Sequence, residues 1–160
     1  MQTTIKELIR ESLSVKNELL KNESIISSIA EASNLCLNSL RNNNKILLAG
    51  NGGSAADSQH IAAELVGRFY KNRAALPAIA LTTDTSALTA IGNDFGFETI
   101  FSRQVEALGN SGDVFIGIST SGNSANILNA AEKSNKSGIK VIGLTGSTGG
   151  KLKDLSDTII

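Results

Sequence analysis

The chain has 160 residues, of which 41% are hydrophobic and 19% charged: one domain's worth of sequence, too apolar for intrinsic disorder. Fifteen basic and fifteen acidic side chains cancel to zero, and aromatics make up 4% with no Trp, which weighs against sequence-independent nucleic-acid binding and against a base-stacking platform. The single cysteine, Cys36, excludes an intrachain disulfide and a cysteine zinc site; with no apolar run of about 18 residues and no signal-peptide order at the N-terminus, a cytoplasmic location is expected.

Residues 3–21 read as an amphipathic helix, with Ile5, Leu8, Ile9 and Leu13 at three- and four-residue spacing and Leu19 and Leu20 beyond. Residues 25–41 read as a second helix through Ile25, Ile26, Ile29, Leu35, Leu37 and Leu40, with Ser24 as its expected N-cap. Asn42, Asn43 and Asn44 break the pattern. Apolar stripes this wide favour burial against another copy of the chain over packing on the domain's own flank.

From Lys45 the period changes. Short apolar runs at Ile46–Ala49, Ala78–Leu81, Val114–Ile118 and Val141–Leu144 each precede a loop of small or hydroxyl residues, and a fifth begins at Asp157. Helices are expected over 54–67, over 124–137 and from near Phe97. Alternating strands and helices predict an α/β fold: a doubly wound, parallel five-stranded sheet flanked by helices. The whole chain reads as one domain, an N-terminal helix pair over 1–42 and an α/β core over 45–160. A parallel sheet needs cover on both faces, so a helix or a partner is expected over the face that the last strand leaves open.

In such sheets ligands bind at the carboxyl ends of the strands, where the polar loops lie. Gly50-Asn51-Gly52-Gly53-Ser54 joins a strand to a helix N-terminus, a setting for a small anion or sugar. It lacks the last glycine of the dinucleotide fingerprint and the lysine of a Walker loop. Ser119-Thr120-Ser121-Gly122-Asn123-Ser124 sets four hydroxyls around a glycine with no Lys or Arg, a neutral cradle suited to a phosphomonoester. On the helix over 54–67, His60 and Glu64 share a face, with Asp57 one turn earlier. A histidine and a carboxylate so spaced can share a zinc ion, and Glu64 can act as a general base; an ordinary solvated pair is the alternative. Gly92-Asn93-Asp94-Phe95-Gly96 reads either as a sugar-binding cluster or as a capping turn. Arg68 and Arg73 are further candidates for phosphate.

Taken together, the glycine loop, the Gly92–Phe97 cluster and the serine loop resemble the sugar isomerase (SIS) domain family, most closely its heptose-phosphate isomerases, over essentially the whole chain. The addition of His60 and Glu64 narrows the likeness further. The resemblance implies an SIS-type sheet and a homotetramer with active sites between subunits. It implies conversion of D-sedoheptulose 7-phosphate to D-glycero-D-manno-heptose 7-phosphate, the first step of heptose biosynthesis for bacterial lipopolysaccharide or capsule. By the same resemblance Asn51, Gly52 and Gly53 line the sugar, Asn93 and Asp94 contact it, and Ser119, Thr120, Ser121 and Ser124 hold the phosphate. Glu64 is implied to be the catalytic base, to contact substrate and, with His60, to bind one zinc ion per subunit. The family carries a Gln and a second His, the remaining ligands, on a C-terminal helix, and that His as the acid; they are expected from a segment not in this sequence. A non-catalytic SIS-domain regulator that binds sugar phosphates, of the replication-initiator-associating type, is the alternative. The His60/Glu64 pair, which a sensor does not need, separates the two.

Overall fold

A computed structural model describes residues 1–160. Two long helices, α1 (Gln2–Lys21) and α2 (Glu23–Arg41), precede the core. There follow β1 (Ile46–Gly50), α3 (Gly53–Val66), β2 (Ala78–Ala80) and α4 (Thr85–Phe95), then a 3-10 turn (Phe97–Thr99) leading into α5 (Ile100–Leu108). The chain continues through β3 (Val114–Ser119), α6 (Ala125–Lys136), β4 (Lys140–Thr145), α7 (Leu152–Leu155) and β5 (Thr158–Ile159). All strand pairings are parallel, in the order β2-β1-β3-β4-β5.

The strands are apolar on both faces, as a sheet covered on both sides requires. Leu47, Ala49, Phe115 and Val141 pack against Ile100, Phe101, Val105, Ile127, Ala130 and Leu152 of α5, α6 and α7. Ile46, Leu48, Val114, Ile116 and Ile142 face α2 and α3 through Ala32, Leu35, Leu40, Ile61, Ala62 and Leu65. On that second side an open cavity of about 500 Å³ runs between α2 and α3, floored by Ile116, Ile142, Leu144 and Ile160. Cys36 stands in its wall, and burial pushes its thiol pKa up, which suits a neutral packing residue. No helix is long and apolar enough to cross a membrane.

Two local expectations change. The cap of α2 is Asn22, whose side chain accepts from the Ile25 amide at 3.2 Å, in place of Ser24. Ser24 lies inside the first turn, because α1 and α2 are separated by Asn22 alone. Most of the Gly92–Gly96 cluster is helix, not turn: Asn93 and Asp94 belong to the last turn of α4, and only Gly96, at φ +91°, turns the chain and caps the 3-10 turn at Phe97.

At the amino edge of the sheet, charge holds the strands in place. Asp113 is fully buried and accepts from the Lys45 amide at 3.0 Å, the Lys45 ammonium at 2.6 Å and the Asn110 amide at 2.8 Å. It ties the entry of β1 to that of β3. Replacing it removes three acceptor contacts at once and strands donors in the interior. Asp113→Ala is expected to lower the free energy of unfolding by about 2–4 kcal/mol in urea titration; a loss under about 0.5 kcal/mol would show that the tie is dispensable.

Candidate active site

β1 and β3 lie side by side, with Gly50 opposite Ile118. From β1 the chain crosses to β2 on one side, and from β3 to β4 on the other. Between them lies the point where strand order reverses, the place where an open parallel sheet leaves a crevice at its carboxyl edge. The glycine loop after β1 and the serine loop after β3 both open there.

In the serine loop the hydroxyls are not spent on capping. Ser124 is the N-cap of α6, but its side chain makes no cap hydrogen bond. It takes instead a hydrogen bond from the buried Ser119 hydroxyl at 3.1 Å. Thr120 and Ser121 are exposed. The amides of Ser121, Ser124, Ala125 and Asn126 donate to no acceptor within the chain, so hydroxyls and free N–H groups converge at a helix N-terminus. No cation takes part.

A second loop, Gly146–Lys151, holds the serine loop from behind. Gly146 N donates to Thr120 O at 2.9 Å, Leu152 N to Gly122 O at 2.9 Å, and Lys151 N to Asn123 Oδ1 at 3.1 Å. Asn123 also donates to Ser121 O at 2.9 Å through its side chain and to Ser121 Oγ at 3.1 Å through its backbone. Gly122 has φ +65°, and a Cβ there would strike the Gly149 carbonyl. Sequence reasoning recognised Gly146–Gly150 only as a loop after a strand; its three glycines carried the signal of close backbone approach.

In the glycine loop, a Cβ on Gly50 would lie 2.6 Å from Ser54 Cβ, so only glycine lets β1 turn directly into α3. Asn51 reaches across the crevice to Asn126, a residue the motif reading passed over, in a two-way amide pair of 2.9 Å each way.

Asp57, His60 and Glu64 follow one face of α3. Asp57, with Ser54 and Thr120, lines a cavity of about 430 Å³ beside the loops. Asp57 and His60 share the next, about 250 Å³; His60 and Glu64 share a third, about 340 Å³, with Phe69 and Arg73. The three form one trough along the helix. Ten residues at about 1.5 Å rise each separate Glu64 from Ser54 by about 15 Å between backbones, and the glutamate side chain leans back toward the loops. His60 Nε2 is 3.6 Å from Glu64 Oε1, and the two side chains are 73% and 35% exposed.

Arg73 binds no loop hydroxyl. Its guanidinium caps the end of α3, donating to the Glu64 and Leu65 carbonyls at 2.8 Å. Arg68 is exposed. Asn93 and Asp94 are exposed and bond to each other at 2.8 Å, outside the cavities that Glu64 and Thr120 line. For a zinc ion, His60 and Glu64 supply two donors of suitable chemistry, but no cluster of three His, Cys, Asp or Glu exists in the chain. The residues present thus make half a tetrahedral set.

The SIS domain family profile matches residues 10–146. The phosphoheptose isomerase of Sulfurimonas denitrificans is 52% identical over 160 residues, all of this chain and 82% of that protein. That of Aneurinibacillus thermoaerophilus is 55% identical over all of this chain and 81% of its own length. Among solved structures, the phosphoheptose isomerase of Neisseria gonorrhoeae superposes with a TM-score of 0.90 at 48% identity, over 99% of this chain and 83% of that one.

Because Gly122 lets two backbones touch, Gly122→Ala should displace the hydroxyl cradle without unfolding the sheet. Its affinity for inorganic phosphate, measured by calorimetric titration, is expected to fall about tenfold or more, the loss of one or two charge-assisted hydrogen bonds. Unchanged affinity with native circular dichroism would place the anion elsewhere.

Proposed function

From a chain that belongs to the SIS domain family, and within it to the phosphoheptose isomerases, we infer an aldose–ketose isomerase that converts D-sedoheptulose 7-phosphate to D-glycero-D-manno-heptose 7-phosphate. Its product is the heptose precursor of bacterial surface polysaccharide. The observation that carries the reading to residues is the trough on α3, with an anion cradle at one end and a carboxylate at the other.

Ser119, Thr120, Ser121, Ser124 and the free amides of α6 hold the phosphate. Neutral donors at a helix N-terminus suit a dianion without the strong retention of a lysine clamp. The seven-carbon chain then lies along Asp57 and His60 toward Glu64, over the glycine loop of Asn51, Gly52 and Gly53. Asn93 and Asp94, which line none of the trough's cavities, would meet substrate across a subunit boundary.

Isomerisation moves hydrogen between adjacent carbons. Glu64 takes a proton from C1 of the ketose, and the electron pair forms the C1–C2 double bond of an enediol as O2 gains a proton. Return of a proton to C2 and loss of the O1 hydroxyl proton leave the C1 aldehyde. The oxygen protons need a second group. The resemblance assigns it to a second His on the family's C-terminal helix, which with a Gln there makes up the outstanding zinc ligands. His60 and Glu64 would hold the zinc with those ligands, and the ion would supply Lewis-acid polarisation of the carbonyl or a fixed site geometry.

The surfaces left open support the homotetramer that the resemblance implies. α1 buries none of its residues, and Ile5, Leu8, Ile9 and Leu13 are each more than half exposed. A stripe of that size needs a partner, and a second copy that also covers the trough would exclude water from Glu64.

Glu64→Gln keeps shape and hydrogen bonding but cannot accept the proton. It is expected to lower kcat by about 10²–10⁴-fold while inorganic phosphate still binds; near-normal turnover of the full-length variant would eliminate Glu64 as the base. Removal of metal by prolonged chelation is expected to cut activity, and zinc to restore it. Full turnover in protein shown by mass spectrometry to be metal-free would remove the ion from the reaction.

A further inference from the structure

We propose that Asn126 is a positioning residue for the isomerisation, acting through its amide pair with Asn51 to hold the sugar end of the crevice in register with the phosphate end. This rests on the functional reading above. Asn126 sits in the first turn of α6 and is 2% exposed; its side-chain amide is spent on Asn51, and only its backbone N–H is left for the phosphate. Its side chain spans the switch point: Asn126 Nδ2 donates to Asn51 Oδ1, and Asn51 Nδ2 to Asn126 Oδ1, both at 2.9 Å.

The two asparagines are 75 residues apart and belong to different jaws of the crevice. Asn51 belongs to the loop that turns β1 into α3, the helix bearing Glu64; Asn126 belongs to the helix whose N-terminus receives the phosphate. An apolar contact would also hold the jaws together, but it has no preferred register. A reciprocal amide pair fixes distance and orientation at once, since each amide offers its donor to the other's acceptor. Its two bonds are the only side chain–side chain hydrogen bonds between the glycine loop and the first turn of α6. The serine loop is held from its other side by Asn123 and Gly146, so loss of the pair would free the glycine loop and leave the phosphate seat in place.

The test uses full-length protein and compares Asn51→Ala, Asn126→Ala and the double variant. Rates are expressed per folded molecule, with the folded fraction taken from circular dichroism below the unfolding transition. Each single variant is expected to lose about 10- to 100-fold in kcat, the scale of a misplacement near 1 Å. For Asn126→Ala, KM for sedoheptulose 7-phosphate and the inhibition constant of inorganic phosphate should stay within about threefold; Asn51→Ala, whose side chain also lines the sugar, is expected to raise KM as well, and the double variant should be no worse than the poorer single. Asn126→Ser, too short for either bond, carries the same expectation if the alanine form does not fold. Normal kcat per folded molecule, additive losses, or a loss confined to KM and phosphate inhibition would each overturn the pair's role. Isomerisation by the wild-type protein in the same assay keeps that outcome distinct from failure of the functional reading.

Discussion

The pairing of β1 with β3, with Gly50 opposite Ile118, is the constraint on which the candidate site depends. Parallel strands in that register end within a residue of each other, so two loops that are distant in sequence begin at the same height. Because the next crossover from each strand goes to opposite sides of the sheet, neither loop is pushed over the other. A one-residue slip would turn Ile46 and Leu48 from α2 and α3 toward α5 and α6, and the apolar fit on both faces opposes it. The core therefore sets the width of the crevice before any functional side chain is considered.

The two edges of the sheet divide their chemistry. At the amino edge, Asp113 and Asp157 accept strand amides and lysine ammonium groups: Lys45 pairs with Asp113, and Lys140 with Asp157, at 2.6 Å each. At the carboxyl edge the contacts within and between loops are neutral: hydroxyl to hydroxyl, amide to amide, backbone to backbone. Charges built into the carboxyl edge as structural ties would compete with a dianion for the same donors. Confining them to the far edge leaves the free amides of α6 for ligand.

The fold was largely legible because its signals are local. The four principal strands are runs of apolar residues bounded by loops, and each lies within two residues of its expected limits at either end. The Asn93–Asp94 cluster was harder: glycines at 92 and 96 read as loop punctuation, yet Leu88 and Ile91 pack against the core and carry α4 through Gly92. The hydroxyls and the His60/Glu64 pair stood out by composition and spacing. Asn126 and the Gly146–Lys151 clamp did not, because their roles arise from contacts between residues far apart in sequence, 75 residues for the asparagine pair, that no short motif records.

The exposure of Glu64 bears on the proposed assembly. A carboxylate near the end of a helix, with its side chain about one-third exposed, is poorly placed by itself to exclude water. One turn nearer the serine loop, the His60 side chain is 73% exposed, so α3 offers no drier position along the trough. An α1 that buries nothing of its own and an open trough along α3 fit the proposal that another subunit supplies the lid, in which case assembly and catalysis would be one requirement.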